Sequence, residues 1–275
     1  MTDPIWDGPD EPHFALPGPM GWIRAMLRGV PLAILVFGCF ALFLLIRLIE
    51  APLFGLRRPV TPHITVFVCR WALRLMGLRY TMRGVPMTGL GAMVANHSSW
   101  LNIFTLNAGS PLYFVSKSEV SRWPGIGWLA RGTGTMFVVR DRKHARARTE
   151  LMQERLLAGH KLLFFPEGTS TDGLQVLSFK STLFAAFFAE DLRDEIAVQP
   201  VSVIYHAPPG ESDRFYGWWG DMNFGGHLLH TLSAARHGGV EVIYHPPIPV
   251  SQAENRKTLA FEAETQVRDG HSGAL

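Results

Sequence analysis

The order of apolar and polar residues divides the chain into a polar tail (residues 1–19), two long apolar segments (within residues 20–80) and a remainder of short apolar runs separated by turns (residues 81–275). The tail holds five prolines and four acidic residues, which predicts a flexible, exposed segment. It lacks the basic start and apolar run of a signal peptide.

The first apolar segment, Val30–Ile46, contains only apolar residues, glycine and proline. It is at the short end of what crosses a hydrocarbon core of about 30 Å, so it can span a membrane or enter it as half of a hairpin. A buried helix of a soluble protein is the alternative, which the unbroken apolar run disfavours. The second, Ile64–Leu78, carries Arg70 and Arg74 one helical turn apart, which predicts an amphipathic helix in the membrane interface. These helices are predicted to anchor the chain to a membrane.

Beyond residue 80, apolar runs short enough for strands alternate with helical patterns. This alternation predicts an α/β fold, with a central mostly parallel or mixed sheet flanked by helices. The predicted strands are Gly91–Ala95, Leu112–Val115, Met136–Val139, Lys161–Phe165, Ala197–Tyr205 and Val240–Tyr244. The predicted helices are Trp100–Leu106, Trp128–Ala130, Arg142–Ala158, Thr182–Glu190 and Ser251–Val267.

Charged residues make up 18% of the chain, below the quarter or so that is usual in soluble domains. This composition predicts that some apolar surface faces lipid. Cys39 and Cys69 lie in apolar helical stretches, so neither a disulfide framework nor a metal site is expected, which fits a domain in the reducing cytoplasm. The basic run Arg140–Arg148 is either a solvated helix face or a contact for anionic headgroups, coenzyme A phosphates or an acidic carrier protein. No feature indicates a nucleic-acid partner.

The first candidate for chemistry is His97, where the apolar run Ala92–Ala95 stops at Asn96-His97-Ser98-Ser99 and a helix is predicted to begin. Ligands of open α/β sheets bind at such places, because backbone N–H groups are free there. Alone, such a histidine is usually a structural hydrogen-bonding residue.

Three further segments favour a functional site. They are the glycine-containing Gly132–Arg140, the apolar strand and turn Phe164–Ser170, and Val198–Val201 with a proline at a strand edge. Singly each has an ordinary structural explanation, but their joint order is specific.

The four segments together resemble the glycerolipid acyltransferase family, whose members include 1-acylglycerol-3-phosphate acyltransferase. Its blocks correspond to His97, to Gly134–Arg140, to Phe165–Thr169 and to Val198–Val201, within residues 82–205. The resemblance implies transfer of a fatty acyl chain to a lysolipid hydroxyl, from acyl carrier protein or coenzyme A and without a further cofactor. It also implies a catalytic domain at the cytoplasmic face of the inner membrane.

In this resemblance His97 is the general base, and N–H groups around Gly168 and Thr169 stabilise the oxyanion. Glu167 would position the acceptor, while Arg140, with Lys117 as a second cation, would pair with phosphate or carboxylate groups. The candidate catalytic residues are His97 and Asn102, and the candidate substrate-binding residues are Lys117, Gly134, Arg140, Glu167, Gly168, Thr169 and Ser170.

Asn102 departs from the family, which has an aspartate at this position. Its amide could accept a hydrogen bond from the imidazole but carries no charge, so we expect low activity. Asn102 is either an inactivating substitution that preserves shape or a natural variant with altered activity.

Ser170 is the second departure, because phosphatidic-acid-forming members usually have arginine after the Glu-Gly-Thr turn. Its loss favours a different headgroup, and lyso-ornithine-lipid and other amino-lipid acyltransferases look similar here. A lysophosphatidic acid acceptor is the alternative. A non-catalytic lipid-binding protein is a second alternative, and a serine hydrolase lacks the necessary Gly-x-Ser-x-Gly turn. The aromatic segment Phe215–Met222 either lines an acyl pocket or packs internally, with Asp221 a weak site candidate.

Overall fold

In the computed structural model, which describes residues 6–138 and 145–274, the short apolar runs form one mixed sheet. The strand order is β1-β7-β6-β2-β5-β3-β4, with β8 paired to β6. The strands are β1 (Arg79–Arg83), β2 (Gly91–Ala95), β3 (Tyr113–Lys117), β4 (Met136–Val138), β5 (Leu162–Phe164), β6 (Ala197–His206), β7 (Gly239–Tyr244) and β8 (Ile248–Pro249).

Strand β2 lies in the middle of the sheet and is buried at every residue. It pairs in parallel with β5 on one side and with β6 on the other. Strand β6 pairs antiparallel with β7 and β8, which makes the sheet mixed. The carboxyl ends of β2 and β5 therefore open at the same edge, where parallel sheets bind ligands.

Helices cover both faces of the sheet, so the predicted α/β architecture is confirmed. Met93 and Ala95 of β2 face a core shared with α1, α2, α3 and α7, whereas Ala92 and Val94 face α5 and α8. The helices are α1 (Pro19–Phe54), α2 (Thr61–Met76), α3 (Asn102–Gly109), α4 (Ile126–Thr133), α5 (Ala145–Leu157), α6 (Glu190–Arg193), α7 (Phe224–Ser233) and α8 (Arg256–Ser272).

Helices α1 and α2 form a hairpin whose turn is held by Glu50. This carboxylate is 3% exposed and accepts hydrogen bonds from the Thr61 hydroxyl (2.5 Å) and from the backbone N–H groups of Val60 (2.8 Å) and Thr61 (3.2 Å). In the described part of the chain, α1 is the one helix long and apolar enough to cross a membrane.

Both ends of α1 are attached to the sheet domain. Near its start, Arg28 donates to the carbonyls of Leu232 (2.8 Å) and Ala234 (2.7 Å) at the end of α7. Just after its end, Arg58 donates to the carbonyl of Gly132 (3.2 Å) and the Leu56 carbonyl bonds to His160 Nε2 (2.8 Å). The hairpin thus lies along the domain.

Residues 6–18 contain neither helix nor strand, and most of them are exposed. They nevertheless touch the domain: Glu11 accepts the backbone N–H of Asp221 (2.5 Å), and the Phe14 ring packs on His230 with centroids 4.7 Å apart. The tail therefore packs on the surface of the domain next to α7. Its flexibility stays a prediction.

Several predicted boundaries need correction. Strand β1 (Arg79–Arg83) was not predicted, because its mostly exposed residues lack an apolar pattern; it pairs in parallel with β7. The segment predicted as a helix from Thr182 to Glu190 is a 3-10 helix, Ser181–Phe188. Helices α6 and α7 and strand β8 were also not predicted.

Candidate active site

The turn that carries His97 follows the carboxyl end of β2 and is held by three hydrogen bonds. The backbone N–H of His97 donates to Glu167 Oε1 (2.7 Å), and its carbonyl accepts the N–H of Thr171 (2.9 Å). The next carbonyl, that of Ser98, accepts the N–H of Trp218 (2.8 Å). Two chain segments distant in sequence, residues 167–171 and the segment of Trp218, therefore fix the position of the histidine.

The His97 ring stacks on Phe165, with centroids 4.0 Å apart and an angle of 11° between the planes. The pKa of His97 is lowered to about 4, chiefly by burial, with a smaller contribution from the positive charge of Lys117 and an opposing effect of Asn102. The imidazole is therefore neutral at pH 7, which is the form that can accept a proton.

Asn102 begins α3 and its side chain is completely buried. Its Oδ1 accepts the backbone N–H groups of Ser99 (2.8 Å) and Ser98 (3.3 Å), so its orientation is fixed by two donors. A hydrogen bond from the imidazole to this oxygen is not among the described contacts, and it stays a prediction. Two buried nitrogen atoms, Asn102 Nδ2 and His97 Nδ1, have no hydrogen bond of good geometry among the described residues.

Glu167 is 2% exposed and turned toward the protein. Its second oxygen accepts the backbone N–H of Leu177 (2.8 Å), so both oxygens are engaged. Burial raises the pKa of Glu167 to about 8, against the opposing effect of the two N–H donors. This carboxyl holds the His97 turn in place, whereas the sequence suggested that it contacts the acceptor.

The Glu-Gly-Thr turn leaves some backbone donors available. The N–H of Gly168 is used within the turn, on the Phe165 carbonyl (3.1 Å), and Gly168 has a left-handed φ of 79°. For the N–H groups of Thr169 and Ser170, no partner lies within the part of the chain that the structure describes. Of the predicted oxyanion donors, the N–H of Thr169 remains available, together with the N–H of the adjacent Ser170.

The remaining predicted residues lie in different places. Lys117, at the end of β3, is near enough to His97 for its charge to affect the pKa of the histidine. Gly134 caps the carboxyl end of α4, and its carbonyl accepts a hydrogen bond from the Arg155 guanidinium (2.7 Å). Arg140 lies outside the described residues.

An apolar cavity of about 520 Å³ opens beside His97. Trp100, Phe165 and Trp218 line it near the histidine, which places one tryptophan of the predicted aromatic segment at the site. Helix α1 forms a wall from Gly29 to Phe43, a length of about 21 Å at the helical rise. The cavity has the chemistry and length to hold a fatty acyl chain.

His227 was not predicted from the sequence. Its Nδ1 accepts a hydrogen bond from the indole N–H of Trp100 (2.7 Å), and burial lowers the pKa of His227 to about 4, so it remains an acceptor at neutral pH. This hydrogen bond links α7 to the turn between His97 and Asn102. No sequence signal could reveal this pair, because its members are 127 residues apart.

The family model described as Acyltransferase matches residues 80–204, which contain His97 and the Glu-Gly-Thr turn. The chain belongs to this family of enzymes. Lyso-ornithine lipid O-acyltransferase of Rhodobacter capsulatus is 54% identical over 270 residues, 98% of this chain and 98% of the relative. The Brucella abortus protein of the same name is 37% identical over 215 residues, 74% of this chain and 79% of the relative.

A solved structure supports the fold. The crystal structure of the 1-acyl-sn-glycerophosphate acyltransferase PlsC from Thermotoga maritima matches with a TM-score of 0.58 and 19% identity. The match covers 90% of this chain and 98% of PlsC. The α/β architecture and the long N-terminal helix thus belong to a known acyltransferase fold.

We predict that His227→Phe lowers the rate of acyl transfer at least several-fold, because it leaves the buried Trp100 N–H unpaired at a cost of about 1–3 kcal/mol. His227→Gln, which keeps an acceptor, should stay near the unsubstituted rate. Turnover and KM in detergent micelles check this, with His230→Phe on the same helix as control. Equal kcat in the phenylalanine and glutamine variants would contradict a positioning role.

Proposed function

We propose that the chain moves a fatty acyl group from an acyl carrier protein or coenzyme A thioester to the hydroxyl of a lyso-ornithine lipid or a related lyso-amino-lipid. The observation that carries the proposal is a neutral histidine, His97, at the mouth of an apolar cavity and next to a turn with available N–H donors. The name of the R. capsulatus relative supports this choice of acceptor.

In this reaction His97 takes the proton of the lipid hydroxyl as its oxygen attacks the thioester carbonyl. The N–H of Thr169 stabilises the oxyanion of the tetrahedral intermediate. The intermediate collapses to an ester, and the departing thiolate takes the proton back from His97. Both reactants are substrates, so the proposed chemistry requires no metal or cofactor, and the acyl chain of one of them occupies the cavity.

Asn102 slows this reaction through the tautomer of His97. Oδ1 is held by the N–H groups of Ser98 and Ser99. We propose that the amide N–H is directed at the unpartnered Nδ1 of His97 and favours a ring whose proton is on Nε2. That ring presents an N–H where a base must present a lone pair. A carboxylate would instead accept from Nδ1–H and leave Nε2 free, so we propose that the chain as written turns over slowly.

We also propose that the enzyme binds one face of the inner membrane, with the sheet domain in the cytoplasm and α1 lying in one leaflet. Between Arg28 and Arg58 the exposed side of α1 is apolar and includes Ile34, Leu42 and Leu45. Because Arg28 and Arg58 both bond to the same domain, a helix that crossed the bilayer would have to break one attachment.

Asn102→Asp should raise acyl transfer about a hundred- to ten-thousand-fold, by analogy with the size of the aspartate effect beside the histidine of serine proteases. The new charge also raises the pKa of His97, so activity should fall at a higher pH on acidification than in the unsubstituted chain. Initial rates across pH check both statements. Asn255→Asp, at an exposed helix cap, is the matched control; an unchanged rate in Asn102→Asp would contradict the tautomer mechanism.

The Asn102→Asp protein should acylate lyso-ornithine lipid faster than 1-acylglycerol-3-phosphate at equal concentration. Ser170 in place of an arginine removes the fork suited to a phosphate. The measurement is product formation by mass spectrometry with each acceptor in mixed micelles. A higher kcat/KM for the phosphate acceptor would make phosphatidic acid formation the function, and no transfer to either would support the lipid-binding alternative.

Cysteines placed at Met20 and Arg57, in a protein with Cys39 and Cys69 changed to serine, should be modified from the same side of the membrane. A membrane-impermeant maleimide added to inside-out vesicles is expected to label both positions, and right-side-out vesicles neither. A cysteine at Ile34 is the control and should be protected in each case. Labelling of Met20 and Arg57 from opposite sides would establish a spanning helix.

A further inference from the structure

A second cavity, of about 430 Å³, lies between the end of α2, the start of β1 and the end of α3. Its lining combines three arginines, Arg70, Arg74 and Arg79, with apolar side chains such as Leu73 and Leu78. Within the described part of the chain, none of these residues lines the cavity beside His97. The acyl-transfer chemistry therefore gives this arginine cavity no role.

The arginines of this cavity lack acidic partners. Arg70 Nε donates to the carbonyl of Ala108 (2.7 Å) near the end of α3, which orients the guanidinium. Among the residues that the structure describes, the side chains of Arg74 and Arg79 make no ion pair and no hydrogen bond. Three guanidinium groups thus share one small cavity without a compensating charge.

The sequence around the cavity explains why no carboxylate is present. Residues 51–118 contain seven arginine and lysine residues but no aspartate or glutamate. Glu241 of β7 lies opposite Thr81 in the sheet, but its carboxylate pairs with Arg83 (2.6 Å). An anion that enters the cavity would therefore meet only positive charge, and guanidinium groups match the oxygens of a phosphate in pairs.

The surface beside the cavity is suited to a lipid bilayer. Phe67 and Trp71 are exposed and lie one helical turn from Arg70 and Arg74 on α2, and the Arg74 guanidinium carbon is 5.0 Å from the centroid of the Trp71 ring. Exposed aromatic rings beside arginines are typical of a helix at the level of lipid headgroups. This surface favours a lipid over a soluble anion or an acidic protein.

We propose that the arginine cavity binds the phosphate of an anionic membrane phospholipid, with Arg70, Arg74 and Arg79 as its ligands. This inference rests on the proposed membrane attachment through α1, against which α2 packs. Arg70 also holds α3 at Ala108, about 9 Å along the helix from Asn102. A phospholipid bound here fixes the orientation of the domain on the bilayer from a point close to the active site.

Binding of the full chain to vesicles tests the proposal, with bound and free protein separated by flotation. Arg74→Gln and Arg79→Gln should each weaken binding to phosphatidylcholine vesicles that contain phosphatidylglycerol about fivefold, the effect of one basic residue at an anionic surface. Binding to pure phosphatidylcholine vesicles should stay unchanged. Arg74→Lys keeps the charge without the planar fork and should recover only part of the loss. Arg256→Gln, an exposed change of equal charge on the opposite face of the sheet, is the control.

Unchanged binding of both glutamine variants to the phosphatidylglycerol vesicles would overturn the proposal, as would an equal loss on pure phosphatidylcholine. Full recovery in Arg74→Lys would replace a phosphate site with diffuse surface charge. Weaker binding of inorganic phosphate or acyl carrier protein in Arg74→Gln, with vesicle binding unchanged, would assign the cavity to a soluble anion or an acidic protein. Failure of the attachment through α1 is distinguishable, because the unsubstituted chain would then bind only the vesicles that contain phosphatidylglycerol.

Discussion

The buried carboxyl group of Glu167 links the turn after β2 to the segment after β5. Burying such a group is costly unless its oxygens are hydrogen-bonded, and here they accept one N–H from each of two segments, at His97 and Leu177. The turn after β2 and the segment after β5 therefore have to form together. The stack of His97 on Phe165 and the position of Asn102 both follow from this constraint.

Helix α1 combines two roles that are usually separate. Its outer face is apolar and exposed, while its inner face walls the acyl cavity, and residues such as Phe37 take part in both. Arginines at or beyond each end bond to backbone carbonyls of the domain. The part of the chain proposed to meet lipid therefore also lines the cavity proposed to hold the acyl chain.

The sequence was sufficient where a signal is local. Strand β2 was predicted with its observed bounds because an apolar run ends abruptly at a polar turn, and the same pattern located His97 and the Glu-Gly-Thr turn. Helix α7 was missed because its sequence has paired glycines. Its start is capped by Asn223, but its end is bonded by Arg24 and Arg28, about 200 residues earlier. His227 acquires its role only through such a distant contact, and the orientation of the Asn102 amide depends on backbone donors that no spacing rule specifies.

The wall that α1 gives to the cavity has a kinetic consequence. An acyl chain that entered through water would expose its methylene groups, at about 0.8 kcal/mol each, so the barrier would rise steeply with chain length. An acyl chain that enters beside α1 from the leaflet moves from lipid hydrocarbon to the apolar wall of the cavity without exposure to water. With α1 in the bilayer as proposed, long and short lipids should enter at similar rates, and discrimination by length would arise from the shape of the cavity.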